Sequence, residues 1–162
     1  MIQQIIALYE KNHDYARRLI ADLPDEKLAF QPGPNMNHAA WVIGHLALTA
    51  DRVTCGFTLG LASKLPAEWG PLLGGKSTPT DDRQAYPSKD VLWQAYDDAH
   101  ARVVVAVQQL APADLEKATP HEGFGQRFPT IGIALLHTMI GHEQVHLGQL
   151  SAWRRVQGMP PV

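Results

Sequence analysis

The stretch Leu135-Leu-His-Thr-Met139-Ile-Gly-His142-Glu143-Gln-Val-His146-Leu-Gly-Gln-Leu150-Ser-Ala-Trp153 decides the fold class. Leu135, Met139, His142, His146, Leu150 and Trp153 recur at three- and four-residue steps, which marks one face of an amphipathic helix. Two histidines belong to that apolar stripe, so the spacing points both imidazoles into the protein. Four residues apart, their Cβ atoms lie about 6 Å from one another, close enough to share one ion. Buried neutral imidazoles need a common cation or separate hydrogen-bond partners. The helix starts near Thr130, after Pro129, and runs to about Gln157, where Gly158 and Pro160 stop it.

Three more segments show helical periodicity. The first runs from about Ile2 to Leu23, with Ile2, Ile5, Tyr9, Ala16, Leu19 and Leu23 on one face. The second starts with Asn37 or a close neighbour as N-cap and continues to about Leu59; its inward stripe reads Trp41, His45, Leu48, Cys55, Leu59. The third follows Ser88, a good N-cap, and carries Leu92, Tyr96, Ala99, Val103, Ala106 and Leu110 at heptad-like spacing. The run Val103 to Val107 suits a strand in isolation but lies within that heptad, so it is assigned to the helix. The expectation is an all-α protein: one domain over residues 1–162, a four-helix bundle with a long crossover connection between its second and third helices. That connection, Gly60 to Pro87, is rich in Pro and Gly, with a helical turn expected around Pro66 to Leu72.

His45 is a third inward histidine, one turn after Trp41. Together with His142 and His146 it forms a metal-ligand set drawn from two facing helices. Imidazole nitrogen suits zinc and nickel. Three protein ligands leave a position for water, as in catalytic rather than structural zinc sites. Trp41 either walls the site or packs as an ordinary aromatic. Arg52, two turns beyond His45, either meets an anionic substrate at the pocket mouth or pairs with an acid. Glu143 is a base for catalysis, a support behind the metal ligands, or a solvated or bundle-edge carboxylate. His137, five residues before His142, falls about 140° around an ideal helix and should not share the ion. Cys55 reads as a small buried hydrophobe.

The strings His142-Glu-Gln-Val-His146-Leu-Gly148-Gln149 and Asn37-His-Ala-Ala-Trp41-Val-Ile-Gly-His45 resemble the H-x-x-x-H-x-G-Q signature and the second-helix segment of the DinB-like superfamily. The resemblance covers essentially the whole chain. It implies a four-helix bundle with a three-histidine metal site, often dimeric. Its characterised members include transferases and isomerases that use low-molecular-weight thiols such as mycothiol or bacillithiol, and many others have no known activity. The function expected is therefore a metal-dependent enzyme, a thiol-dependent S-transferase or a hydrolase, acting on a small molecule with a possible thiol cosubstrate. The alternative is a noncatalytic metal-binding, stress-response or structural bundle.

Two other motifs lose to their context. His142-Glu143-Gln-Val-His146 satisfies H-E-x-x-H, but no His, Glu or Asp follows it to complete a protease site. Gly70-Pro-Leu-Leu-Gly-Gly75-Lys76-Ser77 matches a P-loop, but no strand precedes it and Pro79 blocks a helix directly after it.

Composition narrows the classes further. Of 162 residues, 45% are hydrophobic and 19% charged, which excludes a disordered chain. A net charge of -2 and the lack of a Lys/Arg run argue against nucleic acid and anionic membrane as partners. The lone cysteine, Cys55, rules out an internal disulfide and fits a reducing, cytoplasmic setting. No signal peptide or membrane span is evident. Val104, Val105 and Val107 lie outside the third helix's stripe. That surplus apolar surface points to a homodimer or to cover by the Gly60–Pro87 connection.

Overall fold

A computed structural model describes residues 1–162. Helix α1 spans Ile2–Ala21. Helix α2 spans Ala39–Leu48 and continues without a break into π-helical turns over Thr49–Thr58. Short α3 (Trp69–Leu73) lies in the connection, which leads into α4 (Lys89–Gln108). After the single turn α5 (Glu122–Gly125) comes one long rod: α6 (Ile131–Leu135), π-helical turns over Leu136–His142, and α7 (Glu143–Val156). There is no strand; one β-bridge joins Ala118 to Thr130.

Capping residues set the starts. Ser88 and Thr130 accept from the amides of Val91 and Ile133. The second helix is capped by His38, whose Nδ1 accepts from the Trp41 amide at 3.2 Å. Gly158 closes the last rod at φ 73°.

Cross-helix contacts give the topology. Lys89 Nζ reaches the carbonyls of Ala21 and Leu23 while His100 stacks on Tyr9, so α1 and α4 run antiparallel. Asn12 bonds to Met139 and Arg154 to Leu19, so α1 and α7 are parallel. Leu92 packs near Gly44 and Arg102 pairs with Asp51, so α2 and α4 are parallel too. Two parallel neighbours cannot be joined by a short turn: the chain must return the length of the bundle, which is why Gly60–Pro87 is long. The connection then covers the outer side of α2, whose ten residues are all buried.

The buried Asp51 anchors this crossover. It accepts from Ser63 Oγ, from the amides of Lys64 and Leu65 and from the Arg102 guanidinium. These donors hold its pKa below the usual carboxylate range despite burial.

The apolar core has two halves. One gathers Leu19, Trp41, Val42, Leu92, Leu150 and Trp153; the other gathers Ile5, Cys55, Val103, Leu135 and Met139. Between them lies a polar layer containing Asn12, His13, His45, His100, Glu143 and His146, all buried.

The valine surplus resolves inside the monomer. Val104 and Val107 are buried with Leu115 and Ile131, and only Val105 stays exposed. The buried face of α4 follows the 3.6-residue period, drifting off the heptad positions Ala106 and Leu110 to Val104 and Val107. Neither a partner nor the Gly60–Pro87 connection is needed there. The exposed apolar residues Ile133, Leu136 and Val145 lie on the last rod instead.

Removing the buried Asp51 acceptor strands two backbone amides and leaves the half-buried Arg102 guanidinium without its ion pair. Asp51→Ala is expected to cost about 3 kcal/mol, a fall in Tm of roughly 6–12 °C for a chain of this size. Thermal unfolding checks it; an unchanged Tm refutes the clamp.

Candidate metal centre

His45 of α2 and His142 and His146 of the last rod meet in the polar layer, where one ring nitrogen from each lies within 4.8 Å of the others. No other His, Cys, Asp or Glu joins them. The Nε2 atoms of His45 and His142 are 3.2 Å apart. Nitrogens bound to one tetrahedral zinc at 2.0–2.1 Å stand about 3.3 Å from each other, so this pair already has the spacing of a shared ion.

Two of the rings are oriented from behind. His45 Nδ1 donates to the Leu73 carbonyl at 2.7 Å, leaving Nε2 as a lone pair facing the centre. His146 Nδ1 donates to Gln149 Oε1 at 2.9 Å, and Asn37 Nδ2 donates to the same oxygen. Such outer partners fix the tautomer of metal-binding imidazoles. His142 Nδ1 is buried without a partner. Lone pairs converging in a buried space, with no proton donor provided for them, fit a cation.

Burial favours the neutral, ligand-competent form of all three rings. It pushes His142 down to about 3, with His146, His45 and His137 adding to the effect. It pushes His146 to about 4, and it lowers His45 against the Leu73 hydrogen bond.

Trp41 stacks on His45, with ring centroids 4.5 Å apart and planes 8° from parallel, and lies 5.7 Å from the His146 ring. Its Nε1 donates to Ser77 Oγ, which donates in turn to Gly74 O. The P-loop-like stretch is thus the backing of the site: α3 ends there, and Leu73 and Ser77 hold His45 and Trp41.

The other expected residues lie elsewhere. Arg52 donates to the Pro66 carbonyl at 2.6 Å, tied to the connection and away from the cavity described below. Glu143 is 2% exposed, which overturns a solvated edge carboxylate. It turns away from the three histidines, accepting from Tyr96 OH at 2.6 Å. Burial pushes its pKa up to about 8, against the Tyr96 and Asn12 hydrogen bonds. Cys55 is fully buried in the apolar core, and burial raises its pKa. His100 packs between Tyr9 and His13, outside the cavity.

A cavity of about 420 Å³ opens onto His45 and His142. His137 lines it, its ring stacked on Phe128 at 4.2 Å and 5.8 Å from that of His142. His137 stays outside the histidine cluster, as its spacing predicts, yet it lines the cavity. Over Leu136–His142 the helix is π-bonded, i to i+5, so residues five apart come toward one side. Arg127 and Phe124 complete that wall. Sequence reasoning missed Arg127, Leu73 and Gln149. Only Gln149 carried a local signal, three residues beyond His146 on the same helix.

An all-α bundle with a buried three-histidine cluster is the class that this geometry defines. The model of the DinB superfamily matches residues 8–150, and the chain belongs to that superfamily. No curated protein matches it.

His45→Ala, His142→Ala and His146→Ala should each abolish stoichiometric metal in elemental analysis of protein purified without chelator or nickel resin. His137→Ala should retain it, and Gln149→Ala should weaken affinity by about tenfold. Proton competition sets the acid limit. Free imidazole would release metal below about pH 6; the lowered values move half-release down, to between about 4 and 6. The same depressed pKa values mean that metal-free protein loses stability as pH falls from 6.5 toward 4. Release above pH 6 would refute the buried-ligand assignment.

Proposed function

We propose that the chain is a metal-dependent enzyme in which His45, His142 and His146 hold one divalent cation, zinc or nickel, with a further position open to a small ligand. The observation that carries this reading is the cavity meeting His45 and His142. Three imidazoles without a fourth protein ligand are the donor set of catalytic zinc sites. When bound, such a cation lowers the pKa of a thiol or water enough to give thiolate or hydroxide near neutral pH. The reaction classes that follow are S-transfer from a low-molecular-weight thiol and hydrolysis.

The chain's own residues supply positioning. Leu73 O and Gln149 hold His45 and His146 in one tautomer, and Trp41 stacks on the His45 ring. No Cys or Ser lines the cavity. Thr138 Oγ1 is committed to Ala134 O, and Cys55 lies in the core. We assign Glu143 to support: its carboxyl ties α7 to Tyr96 of α4 across the bundle and faces no substrate space.

Cobalt-substituted protein titrated with 2-mercaptoethanol should change its visible spectrum, and His146→Ala should abolish the response. A spectrum indifferent to every small thiol favours the noncatalytic reading, an ion that only ties α2 to the last rod.

We also propose a homodimer in a cytoplasmic setting. Ile133, Leu136 and Val145 are exposed along the last rod, beside Gly141 and Gly148, at which an added Cβ would meet nothing. Such a surface allows close approach of a second copy. Sedimentation at micromolar concentration should give twice the 17.8 kDa chain mass; a single species at the chain mass sinks the dimer.

A further inference from the structure

The cavity wall facing the histidines is built by a segment that the proposed chemistry does not use. Arg127 and Phe128 follow α5, and their amides donate to the Phe124 carbonyl. The segment is pinned at its ends: Thr119 Oγ1 donates to Phe128 O, Thr119 N to Pro129 O, and Ile131 N to Lys117 O. His121 stacks on Phe57 at 3.9 Å, fixing the turn against the end of the second rod. Arg127 is therefore displayed on a held turn.

The electrostatics of the cavity are one-signed. Arg127 lines it and makes no ion pair. No Asp or Glu lines it. The guanidinium lies over Phe128, 5.3 Å from the ring centroid. A cation on the histidines adds to the same sign. An unpaired guanidinium at the mouth of a cavity without carboxylates recognises an anion, and its planar fork suits a carboxylate. Phe124 and His137 line the cavity beside Arg127 and offer aromatic surface to a flat apolar body.

We infer that this cavity selects a small organic carboxylate carried on a flat apolar body, with Arg127 as the residue that recognises its charge. The inference deepens the proposed metal chemistry and rests on it for what happens to the ligand, while recognition by Arg127 is independent of the metal. The carboxylate belongs either to the substrate or to the thiol cosubstrate.

The probes are benzoate and its neutral counterpart benzamide, titrated into the full chain with and without zinc and followed by amide NMR shifts at Thr49 and Thr138. Benzoate should bind at least about tenfold more tightly than benzamide, and Arg127→Met should remove that preference while Arg127→Lys keeps part of it. Arg127 is exposed, so these variants should fold as the parent does. Equal binding of both probes, no binding of either, or a benzoate preference that survives Arg127→Met overturns the inference. In zinc-loaded protein, displacement of benzoate by mercaptoacetate, a thiol with its own carboxylate, that Arg127→Met weakens places the carboxylate on the thiol; benzoate that still binds beside mercaptoacetate places it on the substrate. If no thiol ever reaches the metal, the proposed function fails, while the benzoate preference in zinc-free protein still decides the role of Arg127.

Discussion

Placing three imidazoles between the apolar halves of one bundle is the constraint to which the rest of the structure answers. A buried ring nitrogen without a partner costs free energy, and a buried imidazolium costs more. The protein meets this from two sides. Leu73 O and Gln149 Oε1 satisfy the outward nitrogens of His45 and His146. The inward nitrogens are left to face one another, a geometry that a shared cation satisfies.

That constraint explains the crossover. To give His45 a backbone acceptor, the chain must bring a carbonyl against the outer side of α2. The Gly60–Pro87 connection does so while returning the length of the bundle between two parallel helices. Gly44 lies beneath it, where an added Cβ would lie 2.7 Å from Leu73 Cδ1 and would force that side chain to shift. Asp51 then fastens the start of the connection to the second rod and, through Arg102, to α4. The P-loop-like string Gly70–Ser77 is thus explained by support of the histidine site rather than by phosphate.

Much of this was legible in the sequence, for physical reasons that differ by element. The four helices follow from apolar periodicity and caps, which are local. The three-histidine cluster follows from histidines placed on inward stripes. What escaped depends on long-range packing or on departures from ideal geometry. The Leu73 carbonyl is a backbone atom with no sequence signature. The burial of Val104 and Val107 depends on Leu115 and Ile131 covering a face that a strict heptad leaves open. Glu143 looked like a metalloprotease base because only its spacing was visible; its direction is set by Tyr96, on another helix. His137 lies outside the cluster as expected, but its place in the cavity wall was not visible because the helix is wound more loosely over seven residues.

Those loosely wound turns have a consequence for how relatives of this chain can diverge. Each i to i+5 turn holds one residue more than the α-turn that it replaces. Deleting a residue between Leu136 and Gly141 would rewind the segment toward an α-helix and swing His137 out of the cavity, while the four-residue spacing of His142 and His146 would be untouched. The ligand spacing and the cavity lining are thereby separable by a change in chain length alone. An insertion or deletion here could exchange the groups presented to a bound molecule without any substitution in the three histidines themselves.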